Sequence, residues 1–208
     1  MAEGHGGALS PSSQLTFAQI PMNHTTSTDP NRYSAAMRWL HWLRAGAVLG
    51  TLAIGLIMVN LPDELQAKFD VLYPNHKQFG LLALLLAAAA LIVRACTHVP
   101  KPPASLAPWE RTLSKFVHCA LLVLLIAVPL LGYSMSSTFT QSDGVPFFFF
   151  GHLPELLPKN DRWFERFQWL HRVLAYALLG LLVLHVAGAL KHRFLDKDSQ
   201  ADVLRRML

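Results

Sequence analysis

His171 and His185 close the two ends of the run LHRVLAYALLGLLVLH, which is otherwise mostly Leu, Ala and Val. An imidazole in so apolar a helix is costly unless something takes its nitrogen lone pair. Fourteen helical residues turn through about 1400°, nearly four full turns, and rise roughly 21 Å. The two rings therefore share one helix face but sit at different heights. His41, His76 and His118 lie in or beside three further apolar runs. By depth, His41 is level with His185, and His76 with His171. Two imidazoles facing each other across a helical bundle are axial ligands for a haem iron. Zinc would want three or four ligands at one point, and a proton relay would want carboxylates beside the histidines. The ligands here separate into two levels, and the apolar runs contain no Asp or Glu. Two b-type haems, each between a histidine pair, answer the pattern. No C-x-x-C-H motif is present, so such haems would be held without thioether bonds.

The elements that must carry these residues can be read from the charges. The chain is 52% hydrophobic and only 15% charged. No charged residue falls between Arg44 and Asp63, Lys77 and Arg94, Lys115 and Asp143, or Arg172 and Lys191. With their flanks, these gaps are long enough to cross a hydrocarbon core of about 30 Å as helix. Lipid leaves the backbone no partner but itself, so helices are required. The expected fold is an all-α membrane protein, a four-transmembrane-helix bundle holding two b-type haems, with spans near 36–60, 76–96, 114–136 and 169–190. A soluble bundle of unusually apolar helices is the competing architecture. Residues 32–208 form one domain. Residues 1–31 lack an apolar core and are rich in Ser, Thr, Gly and Pro, so they are expected to be a flexible tail. Met22 is a second possible start within it, and the tail histidines His5 and His24 are expected to be solvated.

Twelve Lys and Arg residues fall on one side of this arrangement: Arg32, Arg38, Arg44, Arg94, Lys101, Arg111, Lys115, Lys191, Arg193, Lys197, Arg205 and Arg206. The opposite links hold Lys68, Lys159, Arg162 and Arg166, with Lys77 and Arg172 at the boundary. The positive-inside rule then places both termini of a multi-pass membrane protein in the cytoplasm. Basic loops of this kind explain the high pI without nucleic acid. Cys96 and Cys119 are expected to be small buried thiols. Pro129, one turn before Gly132, predicts a kink in the third helix. The run Phe147–Phe150 is expected at the membrane surface, beside a short interfacial helix, and the five tryptophans near the helix ends. His98, His152 and His192 are expected to be solvated. His118 reads as a histidine that does not ligate iron but bonds a haem propionate or lines a pocket. Arg94 snorkels or meets a propionate.

The segments RYSAAMRWLHWL, NHKQFGLL followed by LIVR, AVPLLGY, and LHRVLAYALLGLLVLHVAGALKHRFLDKD with the terminal LRRML are together similar to the prokaryotic cytochrome b561 family. The resemblance spans residues 32 to 208. It implies four helices around two b haems, with His41 and His185 ligating the cytoplasmic haem and His76 and His171 the external one. This is the pairing that depth alone suggests. An iron with two histidine ligands has no open position, so it passes single electrons rather than binding oxygen. The resemblance further implies quinone as the partner within the lipid bilayer, and superoxide or a periplasmic redox partner as the external donor. Lys77 and Arg172, beside the external ligands, are expected to pair propionates or lipid phosphates, or to draw in an anion such as superoxide. The chain is thus expected to be a membrane oxidoreductase of the superoxide:quinone type. The alternative is a cytochrome b anchor or relay subunit of a larger dehydrogenase or hydrogenase.

Overall fold

The computed structural model describes residues 1, 32–103, 105–142, 144–196 and 202–208. The expectations for the tail up to residue 31, the start at Met22, His5 and His24 fall outside them, as does Lys197. Four long helices make the fold: α1 (Ala35–Asn60), α2 (Tyr73–Cys96), α3 (Pro108–Thr138) and α4 (Asp161–Phe194). Each is long and apolar enough to span a membrane, α2 together with the π-helical turn Lys68–Leu72 that runs into it. The outer faces decide against the soluble alternative. Ile92, Val123 and Val183 are 66%, 58% and 62% exposed, on three different helices. Water would penalise such a continuous apolar surface, whereas hydrocarbon does not.

Local chemistry sets where the helices start. The Ser34 hydroxyl accepts from the Met37 amide at 3.3 Å ahead of α1. The Asn160 side chain accepts from the Trp163 amide at 3.1 Å ahead of α4. Ahead of α3, Pro108 occupies the first helical position and the Glu110 carboxylate accepts from the Ala107 amide at 3.0 Å. Three helices overrun the spans expected at 76–96, 114–136 and 169–190. Apolar runs mark only the part of a helix in lipid, while the caps lie a turn or two beyond, among polar residues. Pro129 lies inside α3, which continues through it to Thr138.

The close backbone contacts among the described residues run α1 to α2, α2 to α3 and α3 to α4. Val48, Ala83, Val117, Leu121, Val128 and Leu178 form the central core, one or more from each helix. At one end, the Tyr33 amide donates to the Arg206 carbonyl at 3.3 Å, so the segment leading into α1 and the last described segment meet on the same side. We call this the terminal end and the other the loop end. At the loop end, β1 (Val145–Pro146) and β2 (His152–Leu153) form a small antiparallel hairpin. Its base is tied to α3: the Tyr133 hydroxyl donates to the Pro154 carbonyl at 2.5 Å, and the Leu157 amide donates to the Ser137 hydroxyl at 2.9 Å. Phe148–Phe150 form a single 3-10 turn at the hairpin tip, with Phe149 and Phe150 outermost.

Three expectations change. Cys96 and Cys119 are exposed on the outside of the bundle rather than buried; a small apolar thiol needs no protein cover against lipid. His192 is not simply solvated, because its Nδ1 lies 2.6 Å from the Asp196 carboxylate, just past the end of α4. Lys68 is buried: its ammonium pairs with Asp63 at 2.6 Å and donates to the Leu61 carbonyl at 2.9 Å. It closes the end of α1 rather than facing the outside solution. His98 and His152 are exposed, as expected.

Candidate functional site

The four paired histidines come together as depth predicts. At the loop end, the ring centres of His76 on α2 and His171 on α4 are 6.0 Å apart. At the terminal end, those of His41 on α1 and His185 on α4 are 6.3 Å apart. A metal–imidazole bond of about 2 Å, plus about 1 Å from nitrogen to ring centre, puts two rings roughly 6 Å apart across one metal ion. Both pairs meet that spacing. α4 also faces α1 and α2 through these imidazoles, since its close backbone neighbour is α3.

The loop-end rings are oriented by the same device on opposite sides. His76 Nδ1 lies 3.1 Å from the Thr51 carbonyl, and His171 Nδ1 lies 2.9 Å from the Val128 carbonyl. A carbonyl only accepts, so Nδ1 must carry the proton and Nε2 keeps its lone pair. Both carbonyls belong to helices and already face an amide one turn on. Glycine at that next turn lets the ring approach. A Cβ on Gly55 would lie 3.0 Å from His76, and one on Gly132 would lie 3.1 Å from His171. Gly55 and Thr51 on α1 thus seat one ring, and Gly132 and Val128 on α3 seat the other. The chemistry of the donor set and the glycine cradles fit a prosthetic group ligated by two imidazoles.

At the terminal end a third histidine is close. His118 and His185 have ring centres 5.1 Å apart and nearly perpendicular. That is about 1 Å short of what two rings need across a metal, so geometry favours His41 as the partner of His185. His118 Nδ1 is held by the Ser114 carbonyl of its own helix at 2.6 Å. We expect His118→Ala to retain as much haem as the unaltered protein, by pyridine haemochrome assay; loss of half would transfer the ligand role from His41 to His118.

His41 is held in place from the C-terminus. The neighbouring Trp42 ring packs edge-on against it at 5.3 Å, and the Trp42 indole donates to the Met207 carbonyl at 2.9 Å. The same terminal segment is fastened by an Arg193–Asp202 ion pair and by Arg206 donating to the Lys101 carbonyl at 2.8 Å. Lys191 pairs with Glu110 at 2.5 Å, locking α4 to α3 on this side. Apolar patterning had no means of finding this staple, since its contacts are backbone carbonyls and ion pairs.

The remaining candidates sit further out. Arg172 and Arg94 are exposed, Arg94 in the last turn of α2. Lys77 is half-buried and its ammonium reaches the Gly144 carbonyl at 3.5 Å. Lys159, expected at the external mouth, is engaged by Glu155 and by the Phe139 and Ser142 carbonyls. Its ammonium holds the Glu155 carboxyl below the usual carboxylate range. Arg166 lies over the Trp163 ring at 5.0 Å. The cation that acts on both His41 and His185 is Arg44, one turn along α1. Among the described residues, no group of three or more His, Cys, Asp or Glu side chains converges as a metal cluster, as zinc would want.

Comparison with known proteins points the same way. The profile of the prokaryotic cytochrome b561 family matches residues 32–208. The Escherichia coli (strain K12) protein named cytochrome b561 homolog 2 is 34% identical over 185 residues, covering 86% of this chain and 92% of its own length. Cytochrome b561 homolog 1 of the same organism is 25% identical over 173 residues, covering 81% of this chain and 94% of its own length.

Proposed function

This chain belongs to the prokaryotic cytochrome b561 family, and on that footing we propose that it relays single electrons across the bacterial inner membrane, from an external donor to the quinone pool. It is a multi-pass membrane electron-transfer protein, and its family implies b-type haem. In our reading it binds two haems. His76 and His171 hold one at the loop end, facing outward, and His41 and His185 hold the other at the terminal end, facing the cytoplasm. The observation that carries this is the repeated 6.0 and 6.3 Å pairing of imidazoles at two heights on α4.

Each bound haem supplies a reversible one-electron couple. The protein's residues do the rest. The Thr51 and Val128 carbonyls keep the loop-end Nδ1 atoms protonated, so Nε2 is always ready to ligate. Two imidazoles on each iron would leave no open position for oxygen. The apolar core between the two levels, Val48, Ala83, Val117, Leu121, Val128 and Leu178, excludes water and ions from the path. In this orientation the terminal end, with basic residues such as Arg38, Arg111, Lys115, Lys191 and Arg206, faces the cytoplasm.

Superoxide is the donor that best suits the loop end. It is small, anionic and a one-electron reductant, and Arg162 and Arg172 are exposed there to raise its encounter rate. Rapid mixing of the oxidised holoprotein with superoxide tests this directly. Haem bands should turn to the reduced form within the mixing time and reoxidise on adding a ubiquinone analogue. If superoxide leaves the haems oxidised while dithionite reduces them, superoxide is not the donor. Reduction by a soluble dehydrogenase or hydrogenase subunit would then assign the chain as that complex's anchor.

A further inference from the structure

Arg44 is a charge set a turn deeper in α1 than the ligand candidate His41, roughly 4.5 Å further along the axis. An arginine at this depth is costly and is kept only with a counter-charge or a route to water. It is only partly exposed. Among the described residues, no carboxylate or carbonyl engages its guanidinium. It shares a helix face with His41, as residues three apart do, and it lies within electrostatic range of both His41 and His185. The other groups facing that pair are His118 from α3 and Trp42 from α1, and neither is an anion. A cation beside two imidazoles, with no protein anion to match it, marks where a ligand anion belongs.

We propose that Arg44 binds a propionate of the terminal-end haem and, by its charge, raises the reduction potential of that haem above that of the other. This rests on the two-haem reading above. A b-type haem carries two propionate carboxylates, and a guanidinium is the side chain shaped to clasp one through two parallel hydrogen bonds. Reduction of ferric to ferrous iron adds one electron and removes one unit of positive charge. A fixed cation nearby therefore favours the reduced state. Among the described residues the loop end shows no such cation against its rings: the Lys77 ammonium reaches the Gly144 carbonyl and Arg172 is exposed. The asymmetry makes the terminal-end haem the better electron acceptor, which drives electrons from the loop end inward.

The test is a spectroelectrochemical titration of the purified holoprotein and of Arg44→Gln, Arg44→Lys and Arg38→Gln. Single-haem variants lacking His41 or His76 identify which bands belong to which level. Arg44→Gln should weaken reduction of the terminal-end haem at least tenfold, about 59 mV for a one-electron couple, with the loop-end haem unchanged. Arg44→Lys keeps the charge but loses the fork, and should fall between. Arg38, a turn nearer the chain start than His41, should have the smaller effect. Loss of the terminal-end haem from Arg44→Gln but not from Arg44→Lys also supports the assignment. Unchanged potentials in Arg44→Gln overturn it, as does an equal shift in Arg38→Gln or loss of haem from both Arg44 variants. A wild-type protein without protohaem would instead remove the two-haem reading itself, independently of Arg44.

Discussion

Replacing His76 or His171 by alanine should remove half of the protohaem, as pyridine haemochrome per polypeptide, and leave one set of low-spin bands intact. Replacing His41 or His185 should remove the other half and leave the complementary bands. The reason is the separation of the two pairs along α4. Fourteen residues put roughly 21 Å of helix between His171 and His185, and different helices supply their partners. The Nε2 lone pairs of His76 and His171 converge because their Nδ1 atoms are engaged by Thr51 and Val128. Alanine leaves that carbonyl without its second partner and, in the two-haem reading, would leave the iron with one ligand in place of two. The single variants should lose the haem outright rather than weaken it slightly, since no other imidazole among the described residues lies against the loop-end pair and His118 stands too close to His185 to span an iron. The observation that sinks the pairing is a loss of both haems, or of neither, in all four variants.

Gly132→Leu should empty the loop-end site as completely as His171→Ala does, although Gly132 is not itself a ligand. A Cβ at Gly132 lies 3.1 Å from His171 Cε1 and 3.2 Å from its Nδ1. Those atoms belong to a ring pinned to Val128, not to the free end of a flexible chain, so little can give way. Overpacking of this kind costs about 1–3 kcal/mol for a methyl-sized intrusion. Gly132→Ala should therefore weaken haem retention at the loop end by about tenfold, where every 1.4 kcal/mol is a factor of ten. The leucine variant should abolish it. Gly55→Leu should act alike through His76, whose Cε1 lies 3.0 Å from the position of that Cβ. Haem retention after detergent washing, read at both sets of bands, checks this. Unaltered binding by Gly132→Leu would show that the ring does not use the Val128 carbonyl. Gly180→Leu is the control, since nothing lies within 4 Å of a Cβ there.

The histidine pairs were legible without coordinates because both signals involved are one-dimensional. Charge-free runs long enough to cross lipid force helices, and helical periodicity then gives each histidine a face and a height. His41, His76, His171 and His185 could be matched by height alone. The outer surfaces of the helices were legible for the same reason, since lipid imposes one rule on all of them. The helix ends ran past the apolar segments because caps such as Asn160 and Glu110 lie in polar flanks that hydropathy discards.

What folding added depends on side chains and carbonyls meeting across distant segments. Gly55 and Gly132 look like spacers in the sequence, Gly132 merely the companion of Pro129. Each becomes a seat for an imidazole only when α2 lies against α1 and α4 against α3. The choice between His41 and His118 rests on 6.3 against 5.1 Å, a difference no spacing rule could supply. Lys68 becomes buried because Asp63 and the Leu61 carbonyl fold back on it. The C-terminal LRRML becomes a staple because its backbone, not its side-chain pattern, receives Trp42 and Tyr33. Lipid sorts residues by polarity along the chain, so polarity reports the helices. Packing between helices sorts them by shape and hydrogen-bond geometry, and these exist only once the chain has folded.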